Sequence, residues 1–399
     1  MKEIYCDPTK RHDFVYLFDV TNGNPNGDPD AGNLPRVDPE TMHGIVTDVC
    51  VKRKVRDYVA GVLQRPIFIQ SETALNTLYG RALASARDDK GNSVGRPIPL
   101  NLAEDKNLKG LLENEAFAEW LENLDDEEML FEPAESVLTY LGAARSRNEF
   151  AKLLQGDEDV EPGLKRSLGV LAKSLSDAAR SVPKLKREAR GIVKNDLVKK
   201  YFDIRMFGAV LTAGTNAGQV RGPMQLTFAQ SIDPIQPRDI PITRVAITKP
   251  SDLLRKQTEM GRKAIVPYGL YRLHGFYSPY LGRRRKDDGA WEAVVSESDL
   301  GDFWEALRKM FEFDRSAARG EMIVRGLYVF THEDEKGNAP SHKLFDLISV
   351  KPCGEKPPRR FDDYRDGITV PEAGSIEGYP GVTLSRVVSE LAATANADD

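Results

Sequence analysis

The sequence predicts an α+β sheet protein, and the order of its elements is compatible with a split βαβ, ferredoxin-like core that carries insertions. Three observations lead to this prediction. A strand-like segment near the start of the chain runs through a polar loop into a basic helix. A region rich in Glu, Leu, Ala and Lys then interrupts the strand pattern, and further strand-like segments with one helix between them follow it. The 399 residues suffice for one large domain with insertions or for two to three domains.

The first elements are a strand, a loop and a helix. Phe14 to Val20 is rich in aromatic and β-branched residues and predicts a buried strand. Gly, Pro, Asn and Asp dominate the following TNGNPNGDPDAGNLPRVDPE, which excludes a helix or a central strand and predicts a long loop, either ordered or mobile. Ile45 to Leu63 predicts a helix by its apolar spacing. Its basic residues Lys52, Arg53 and Arg56 share the face beside the apolar one.

The region 101–200 differs in composition from its flanks. Apolar residues recur at helical spacing among Glu, Lys and Ala, which predicts several helices. The predicted breaks between them lie near Pro133, Gly156 and Pro162. We interpret this region as an insertion.

Strand-like composition returns after the insertion. The segments are 204–211, 242–248, 266–280, 322–330 and 344–350. The pattern of 300–313 predicts an amphipathic helix between the strands 266–280 and 322–330. From Pro357 the chain is punctuated by Pro and Gly and ends in ATANADD, which predicts a loosely attached tail.

Composition excludes several classes of protein. No apolar run reaches the ~20 residues of a membrane span, and the first residues are polar, which predicts a cytoplasmic protein with no membrane partner. Cys6, Cys50 and Cys353 are far apart, which excludes a disulfide framework and argues against structural zinc. The five histidines lack metal-ligand spacing. We therefore expect no metal or other cofactor.

The formal net charge of −5 leaves nucleic-acid binding open, because the charges are unevenly distributed. Glu104 to Glu135 contains 12 acidic residues and 2 lysines, whereas Arg180 to Lys200 contains 8 basic residues and 2 acidic ones. A phosphate-binding face requires local positive charge rather than a positive total.

The opening loop and its helix are the first candidate site. Asn22 and Asn24 offer side-chain amides, and the loop glycines let backbone N–H groups approach a phosphate. Lys52, Arg53 and Arg56 would neutralise phosphates. The alternative is a flexible loop followed by a solvated charged face.

Two later segments are further candidates. The glycine-rich stretch 208–222 contains Gln219 and Arg221 and would let a sugar–phosphate backbone lie against the main chain, although it lacks the Walker and Rossmann spacings. Plain hairpin turns are the alternative. The segment 243–280 joins basic residues to aromatic ones, which suits phosphate contact with base stacking. Alternatively these aromatic residues are core residues, as we expect for Tyr271 and Phe276.

A metal site formed by acidic residues of the opening loop is the less favoured alternative. Asp19, Asp28, Asp30 and Asp38 would supply oxygen ligands to Mg²⁺ for phosphodiester hydrolysis, or to Ca²⁺. The spacing does not fit the twelve-residue calcium loop, since the closing glutamate is missing. Asp-Pro and Asn-Pro steps are also ordinary turn chemistry.

Three blocks of the sequence resemble one known family. FVYLFDVTNGNPNGDPDAGNLPRVDPETMHGIVTDVCVKRKVRDYV resembles the amino-terminal signature of the backbone subunit of type I-C CRISPR surveillance complexes (Cascade), a branch of the RAMP superfamily. FGAVLTAGTNAGQVRGPMQLTFAQSIDPI and GRKAIVPYGLYRLHGF are similar to two further blocks of this family, in the same order. The chain is longer than expected for the family, mostly in 101–200 and after Pro357.

The resemblance implies a hand-shaped fold and a non-catalytic function. The expected fold is α+β, with an RRM-like (ferredoxin-like) palm, a helical finger insertion and a thumb β-hairpin. The expected boundaries are 12–65, 201–239 and 266–352 for the palm, 66–200 for the finger, 240–265 for the thumb and 353–399 for the C-terminal tail. Copies of the chain would polymerise along one guide RNA (crRNA) and present it for pairing with target DNA in antiviral defence. Other Cascade subunits and a recruited helicase–nuclease are the further partners implied.

The resemblance also implies roles for individual residues. Arg36, Lys52 and Arg53 resemble guide-phosphate contacts, the stretch around Gln219 resembles the palm floor under the RNA, and Met260 resembles an apolar wedge between bases. The complete set of expected RNA-binding residues is Asn22, Asn24, Arg36, Lys52, Arg53, Arg56, Gln219, Arg221, Met260, Arg262 and Lys263.

Two other functions stay open on the sequence. The first is a metal-dependent endoribonuclease of the RAMP superfamily, because related subunits of type III complexes cut target RNA with a loop aspartate; Asp28 and Asp30 are then the candidate catalytic residues. The second is an RNA-binding protein unrelated to CRISPR that shares the RRM-like core. It would prefer particular sequences and would not oligomerise along RNA.

Overall fold

The computed structural model describes most of the chain in two compact units. The described residues are 3–71, 73, 75, 78, 79, 82, 98–124, 129–140, 145–156, 160–179, 187–211, 218–244, 259–285, 291–354 and 356–389. We call the unit formed by Met1–Pro66, Arg205–Phe207 and Gly222–Asp399 the sheet unit, and the unit formed by Ile67–Ile204 and Gly208–Arg221 the inserted unit.

Strands supply the framework of both units. They are β1 His12–Gly23, β2 Gly27–Asp28, β3 Leu34–Pro35, β4 His43–Val46, β5 Ile98–Asn101, β6 Met129–Glu132, β7 Val137–Tyr140, β8 Gly208–Leu211, β9 Gly218–Arg221, β10 Met224–Leu226, β11 Ala229–Pro234, β12 Arg238–Arg244, β13 Glu259–Tyr277, β14 Arg283–Arg285, β15 Trp291–Ala293, β16 Glu321–His332, β17 Ser349–Val350, β18 Ile368–Thr369, β19 Gly374–Ser375 and β20 Val382–Ser389.

Helices alternate with these strands. They are α1 Asp48–Gly61, α2 Glu115–Glu122, α3 Arg147–Gln155, α4 Pro162–Ala179, α5 Arg187–Lys200, α6 Phe202–Phe207, α7 Glu297–Phe313 and α8 Ser341–Asp346, with 3₁₀ turns at Ile4–Cys6, Pro29–Ala31 and Phe361–Gly367. The α+β class expected from the sequence is therefore confirmed. No helix within the described segments combines the length and apolar character that a membrane span needs.

The sheet unit is built on a nine-stranded sheet, counted over the described residues. Its main path runs β19-β20-β16-β1-β13-β11-β4, and β10 and β12 also pair with β13. Neighbouring strands are antiparallel throughout. β1 lies in the middle and is buried along most of its length, which follows from its aromatic and β-branched residues. β13 runs beyond the sheet edge, where its first residues pair with β12 as a separate hairpin arm.

The two faces of this sheet are covered by different elements. Side chains alternate along a strand, so Phe14 and Tyr16 point to one face, where α7 packs. The Tyr16 hydroxyl donates a 2.7 Å hydrogen bond to the carbonyl of Leu307, and the rings of Phe14 and Trp304 are 5.0 Å apart. The opposite face of β1 packs against the segment between Ala339 and Leu384.

The C-terminal segment differs from the loosely attached tail expected from Pro357. Phe361 and Tyr364 are buried in the core of the sheet unit, and β20 pairs with β16 within the principal sheet. Tyr364 also donates its hydroxyl to the carboxylate of Asp233 on β11, at 2.5 Å. These contacts are long-range, and local composition does not encode them. Residues 390–399, which include ATANADD, lie outside the described residues.

The inserted unit contains a small sheet as well as the predicted helices. Strands β5, β7 and β6 form a three-stranded antiparallel sheet, and α2, α3 and α4 share its core. Pro133 lies in the turn between β6 and β7, so the predicted break is confirmed there, whereas the segments on either side of it are strands rather than the expected helices. A second core of this unit forms around α5 and the β8–β9 hairpin.

Two predicted strands are partly helical. Residues 202–207 form α6 and only 208–211 form a strand, while 341–346 form α8 where a strand was expected from 344. Short apolar runs do not distinguish a buried strand from a buried helix by periodicity, which explains both errors.

His12 makes the stability of the sheet unit pH-dependent. Its ring is fully buried between the Asp7 carbonyl and the Thr331 hydroxyl, and burial lowers the pKa of the imidazole to about 4. Because an unfolded histidine has a pKa of about 6.5, the unfolded chain takes up this proton first, and stability falls as the pH drops from about 6.5 towards 4.

The free energy of unfolding falls between pH 7 and pH 5.5, and we expect this fall to be about 1 kcal/mol smaller in His12→Gln than in the wild type. Chemical denaturation of the wild type and the variant at the two pH values measures this difference. Equal losses in the two proteins would contradict the buried neutral imidazole.

Candidate nucleic-acid interface

The opening loop of the sheet unit is held in place by its asparagines. The Asn24 side-chain nitrogen donates to the carbonyl of Asn33, and its backbone N–H donates to the carbonyl of Ala318, each at 2.8 Å. The Asn26 side-chain oxygen accepts from both the backbone N–H and the hydroxyl of Thr47 at 3.0 Å. Of the two alternatives for this polar stretch, the structure therefore has the ordered loop.

Helix α1 follows the loop and is held by a cap at its first turn and by a buried ion pair. Thr47 caps its first turn by accepting from the backbone N–H of Cys50 at 3.3 Å. Lys54 is only 5% exposed and forms an ion pair with Asp314, which also pairs with Arg319 at 2.8 Å. The shared carboxylate connects α1 to the segment between α7 and β16.

A first cavity, which we call the helix cavity, lies between these elements and has a volume of about 490 Å³. Its walls come from the opening loop, from α1 and from the segment after α7. The lining residues are Asn24, Pro25, Asn26, Gly27, Asn33, Thr47, Val49, Cys50, Arg53, Lys54, Asp57, Asp314, Ser316, Ala318 and Arg319.

A second cavity, the hairpin cavity, lies between the opening loop and the β12–β13 arm and has a volume of about 360 Å³. Its lining residues are Asn24, Ala31, Gly32, Asn33, Leu34, Asp239, Arg262, Lys263, Ala264 and Ala318. Asn24, Asn33 and Ala318 line both cavities, so the two form neighbouring parts of one groove.

The groove carries an excess of positive charge. Five basic residues line it against three acidic ones. The basic residues are Arg53, Lys54, Arg262, Lys263 and Arg319, and the acidic ones are Asp57, Asp239 and Asp314. A negative net charge for the whole chain thus coexists with a locally cationic groove, which suits a polyanion.

Two of these cations are available to a ligand. Arg53 is 48% exposed and pairs with Asp57 at 2.8 Å, and Arg262 is 78% exposed and pairs with Asp239 at 2.7 Å. Exposed ion pairs of this kind contribute about 0–1 kcal/mol, so a phosphate replaces the aspartate at little cost. Lys263 reaches the segment after α7, where its ammonium group donates to the carbonyl of Ala317 at 3.4 Å.

The structure brings together four residues that the sequence nominated. Asn24, Arg53, Arg262 and Lys263 line the groove, although more than 200 positions separate the first two from the last two. Arg36 lies at the base of the same loop, with its guanidinium 3.5 Å from the carboxylate of Asp28.

Lys52 and Arg56 lie on another side of α1. Lys52 pairs with Asp48 at 2.8 Å, and both side chains lie over the ring of Phe207, at 5.7 Å for Lys52 and 5.3 Å for Arg56. Arg56 is only 5% exposed. These contacts give both residues a packing role, and their assignment to RNA stays a prediction.

The remaining nominated residues are exposed and are not among the residues that line the groove. Asn22, the penultimate residue of β1, has a left-handed conformation with φ +50°, and Met260 on the β12–β13 arm is 80% exposed. Residues 245–258, which include the basic residues Lys249, Arg255 and Lys256, lie outside the described residues. Gln219 and Arg221 are exposed on β9 of the inserted unit, where the Gln219 carbonyl accepts from Lys194 at 2.7 Å.

The candidate acidic residues do not converge. Asp28 accepts from the backbone N–H of Asp30 at 3.2 Å, which is a turn contact, while Asp19 is buried on β1 and pairs with Arg325 at 2.8 Å. Over the described part of the chain, no group of three or more His, Cys, Asp or Glu side chains is placed to hold a metal ion.

Sequence reasoning missed three residues of the groove. Lys54 lies three positions after Val51 and four before Tyr58, on the apolar face of α1, and a charge in that stripe is the signal of a buried ion pair. Arg319 belongs to the segment DRSAARG, whose basic residues were available as a signal. Asn33 was one of several asparagines in the loop, and nothing in the sequence distinguished it.

Comparison with known proteins identifies the family. The model of the family "CRISPR-associated protein Cas7" matches residues 10–123 and 144–370 of the chain. The chain belongs to the Cas7 family. The CRISPR-associated family expected from the three sequence blocks is thus confirmed, whereas the type I-C subtype stays a prediction.

Individual relatives and solved structures match this chain over a short segment or at low sequence identity. A CRISPR-associated protein Cas7 from Haloferax volcanii is 47% identical over 47 residues, which cover 12% of this chain and 14% of that protein. A chain of a "CRISPR RNA-guided surveillance complex, pre-nicking" has a TM-score of 0.44 at 14% identity, covering 89% of this chain and 87% of that one. A chain of a "CRISPR RNA-guided surveillance complex" has a TM-score of 0.35 at 14% identity, with 84% of each covered.

Proposed function

We propose that this Cas7 protein is a non-catalytic, guide-RNA-binding backbone subunit of a type I CRISPR surveillance complex, of subtype I-C. The observation that carries the proposal is the groove of the sheet unit. This groove of a Cas7 family member is cationic and is lined by Asn24, Arg53, Arg262 and Lys263. Exposed cations and amides suit a sugar–phosphate backbone, which is the part of a guide that does not vary with sequence.

The sheet unit supports the RRM-like palm of this proposal. The chain order β1, α1, β11, β13, α7, β16 and the sheet order β16-β1-β13-β11 correspond to a split βαβ arrangement with two crossover helices. The face opposite α7, however, is covered by the segment 339–384. RNA bases therefore do not stack on this face of the sheet. The RNA instead follows the groove at the ends of β1 and α1.

The β12–β13 arm is the proposed thumb. It extends β13 beyond the sheet as a two-stranded hairpin, and its residues 238–244 are all exposed. Met260, which pairs with Thr243 on this arm, is the proposed apolar wedge between bases, and Arg262 and Lys263 are the proposed phosphate contacts. The helical and sheet elements of the inserted unit are the proposed finger.

The proposed partners are those of a type I surveillance complex in the cytoplasm. Copies of the chain polymerise along one crRNA, and the guide pairs with target DNA. Other Cascade subunits and a recruited helicase–nuclease complete the assembly. Base pairing reads the target sequence, and this chain contributes affinity for the guide backbone.

Nuclease protection of unrelated single-stranded RNAs tests the proposal. We expect the protected length to grow in regular steps as protein concentration rises, for every RNA sequence, because each added copy covers a fixed length of backbone. Sizing the protected fragments on a sequencing gel measures the steps.

Other outcomes would contradict the proposal in different ways. A single short footprint at one preferred sequence would indicate an ordinary RNA-recognition module. Mg²⁺-dependent cuts without added nuclease, lost in an Asp28→Asn/Asp30→Asn variant, would indicate the endoribonuclease. An Asp362→Asn variant, at an exposed carboxylate outside the groove lining, controls for the loss of charge.

A further inference from the structure

The side chain of Asn33 occupies the wall shared by the two cavities. Its backbone has φ +63° and is fixed by a 2.7 Å bond from its N–H to the carbonyl of Asp28 and by the bond that its own carbonyl accepts from Asn24. The side-chain amide makes no hydrogen bond within the described part of the chain, yet it lines both cavities. The backbone of Asn33 is thus held while its donor and acceptor groups are available to a ligand.

The side-chain amide of Asn33 packs against Gly27. A Cβ added at Gly27 would lie 1.9 Å from the Asn33 side-chain oxygen, so only glycine leaves room for the amide there. The same Cβ would be 3.2 Å from the Asn24 side-chain nitrogen, and no backbone atom is among its near neighbours. Gly27 and Asn24 therefore position Asn33 within the groove.

Cations lie on both sides of this amide. Arg53 lines the helix cavity, and Arg262 and Lys263 line the hairpin cavity. A nucleic-acid strand alternates phosphate and sugar, so a strand with one phosphate at each cationic cavity places the sugar between them at the shared wall. A protein that binds every sequence has to recognise groups present in every nucleotide, which are the phosphate and the sugar.

We propose that the Asn33 amide hydrogen-bonds the ribose 2′-hydroxyl and thereby gives the groove a preference for RNA over DNA. This inference rests on the proposed function, since it requires a single strand in the groove. The amide and the 2′-hydroxyl are each both donor and acceptor, so two complementary bonds are available, whereas a deoxyribose offers neither. Asn33 is then a specificity-determining residue, and Gly27 and Asn24 are positioning residues.

Asn33→Gly tests this proposal, because glycine adopts the φ of +63° without strain and lacks the side chain that carries the amide. Affinities are measured for a single-stranded RNA, its 2′-O-methyl analogue and the DNA of the same sequence. We expect the variant to bind RNA about 3- to 10-fold more weakly at unchanged DNA affinity, which corresponds to one ordinary hydrogen bond per contact. The 2′-O-methyl analogue should weaken binding to the wild type but not to Asn33→Gly.

Two further variants sharpen the test. Gly27→Ala displaces the Asn33 side chain while leaving Asn33 in place, and we expect it to reproduce the loss of RNA preference. Gln64→Gly is the matched control, because Gln64 is an exposed amide residue at positive φ outside the groove, and its RNA-to-DNA ratio should equal that of the wild type.

The results separate this inference from the function on which it rests. Wild-type protein that binds no single-stranded RNA would overturn both. RNA binding by the wild type, with RNA and DNA affinities that fall equally in Asn33→Gly or do not change, would overturn the role of Asn33 and leave the guide-binding proposal intact.

Discussion

Replacing Arg53 and Arg262 together by alanine is expected to weaken binding of single-stranded RNA about 100-fold at physiological salt. Each guanidinium is exposed, and each faces a different cavity of the groove. A hydrogen bond to a charged group contributes roughly 1.5–3 kcal/mol, which is tenfold or more in affinity per contact. Fluorescence anisotropy with a labelled RNA of fixed length measures the loss.

The salt dependence distinguishes lost phosphate contacts from a misfolded groove. Each phosphate neutralised on a single strand contributes about 0.7 to the slope of log K against log salt, so the double variant should have a slope shallower by about 1.4. Arg360→Ala/Arg365→Ala is the matched control, since both arginines are exposed and paired with a nearby aspartate on the 3₁₀ segment. Equal losses in the two double variants would contradict a specific groove.

The sequence was informative where function depends on local chemistry. The aromatic and β-branched residues of β1 predicted its burial, and the spacing of Val51, Val55 and Tyr58 predicted α1. The glycine- and asparagine-rich loop was nominated because such residues bring backbone and amide groups to a ligand, and Asn24 does line the groove. These predictions needed only residue type and periodicity.

The sequence was uninformative where function depends on contacts between distant segments. Arg53 and Arg262 come from parts of the chain about 200 positions apart, and the pairing of β1 with β13, which sets Val266 opposite Gly23, brings the second arginine close to the opening loop. Lys52 and Arg56 were equally plausible by residue type, but Phe207 lies against both. Periodicity identifies the face of a helix and not the element that covers it.

The C-terminal segment illustrates the same limit on a larger scale. Its Pro- and Gly-rich composition is typical of a mobile tail, yet Phe361 and Tyr364 lie in the core and β20 adds a strand to the sheet. Its few large apolar residues are spaced to fill the face of β1 that α7 leaves uncovered. That complementarity is visible only in three dimensions.

The second large effect is expected at Asp314, the carboxylate shared by Lys54 and Arg319. Removing one partner of a buried ion pair leaves an uncompensated charge and destabilises by roughly 3–5 kcal/mol. We expect Asp314→Ala to lower the free energy of unfolding by about 3 kcal/mol, because Lys54 is 5% exposed and has little access to water. Chemical denaturation measures the change, and the same variant should also bind RNA more weakly, since the wall containing Ser316 and Arg319 loses its attachment to α1.

Two comparisons decide whether burial is the cause. Asp57→Ala removes a more exposed partner on the same helix and should change stability by less than about 1 kcal/mol. Adding Lys54→Met to Asp314→Ala removes the stranded charge, and we expect it to restore part of the lost stability. If the double variant is no more stable than Asp314→Ala, the loss comes from the end of α7 rather than from Lys54. If the double variant regains stability but still binds RNA weakly, the ion pair has two separate effects: it stabilises the fold, and it maintains the geometry of the groove.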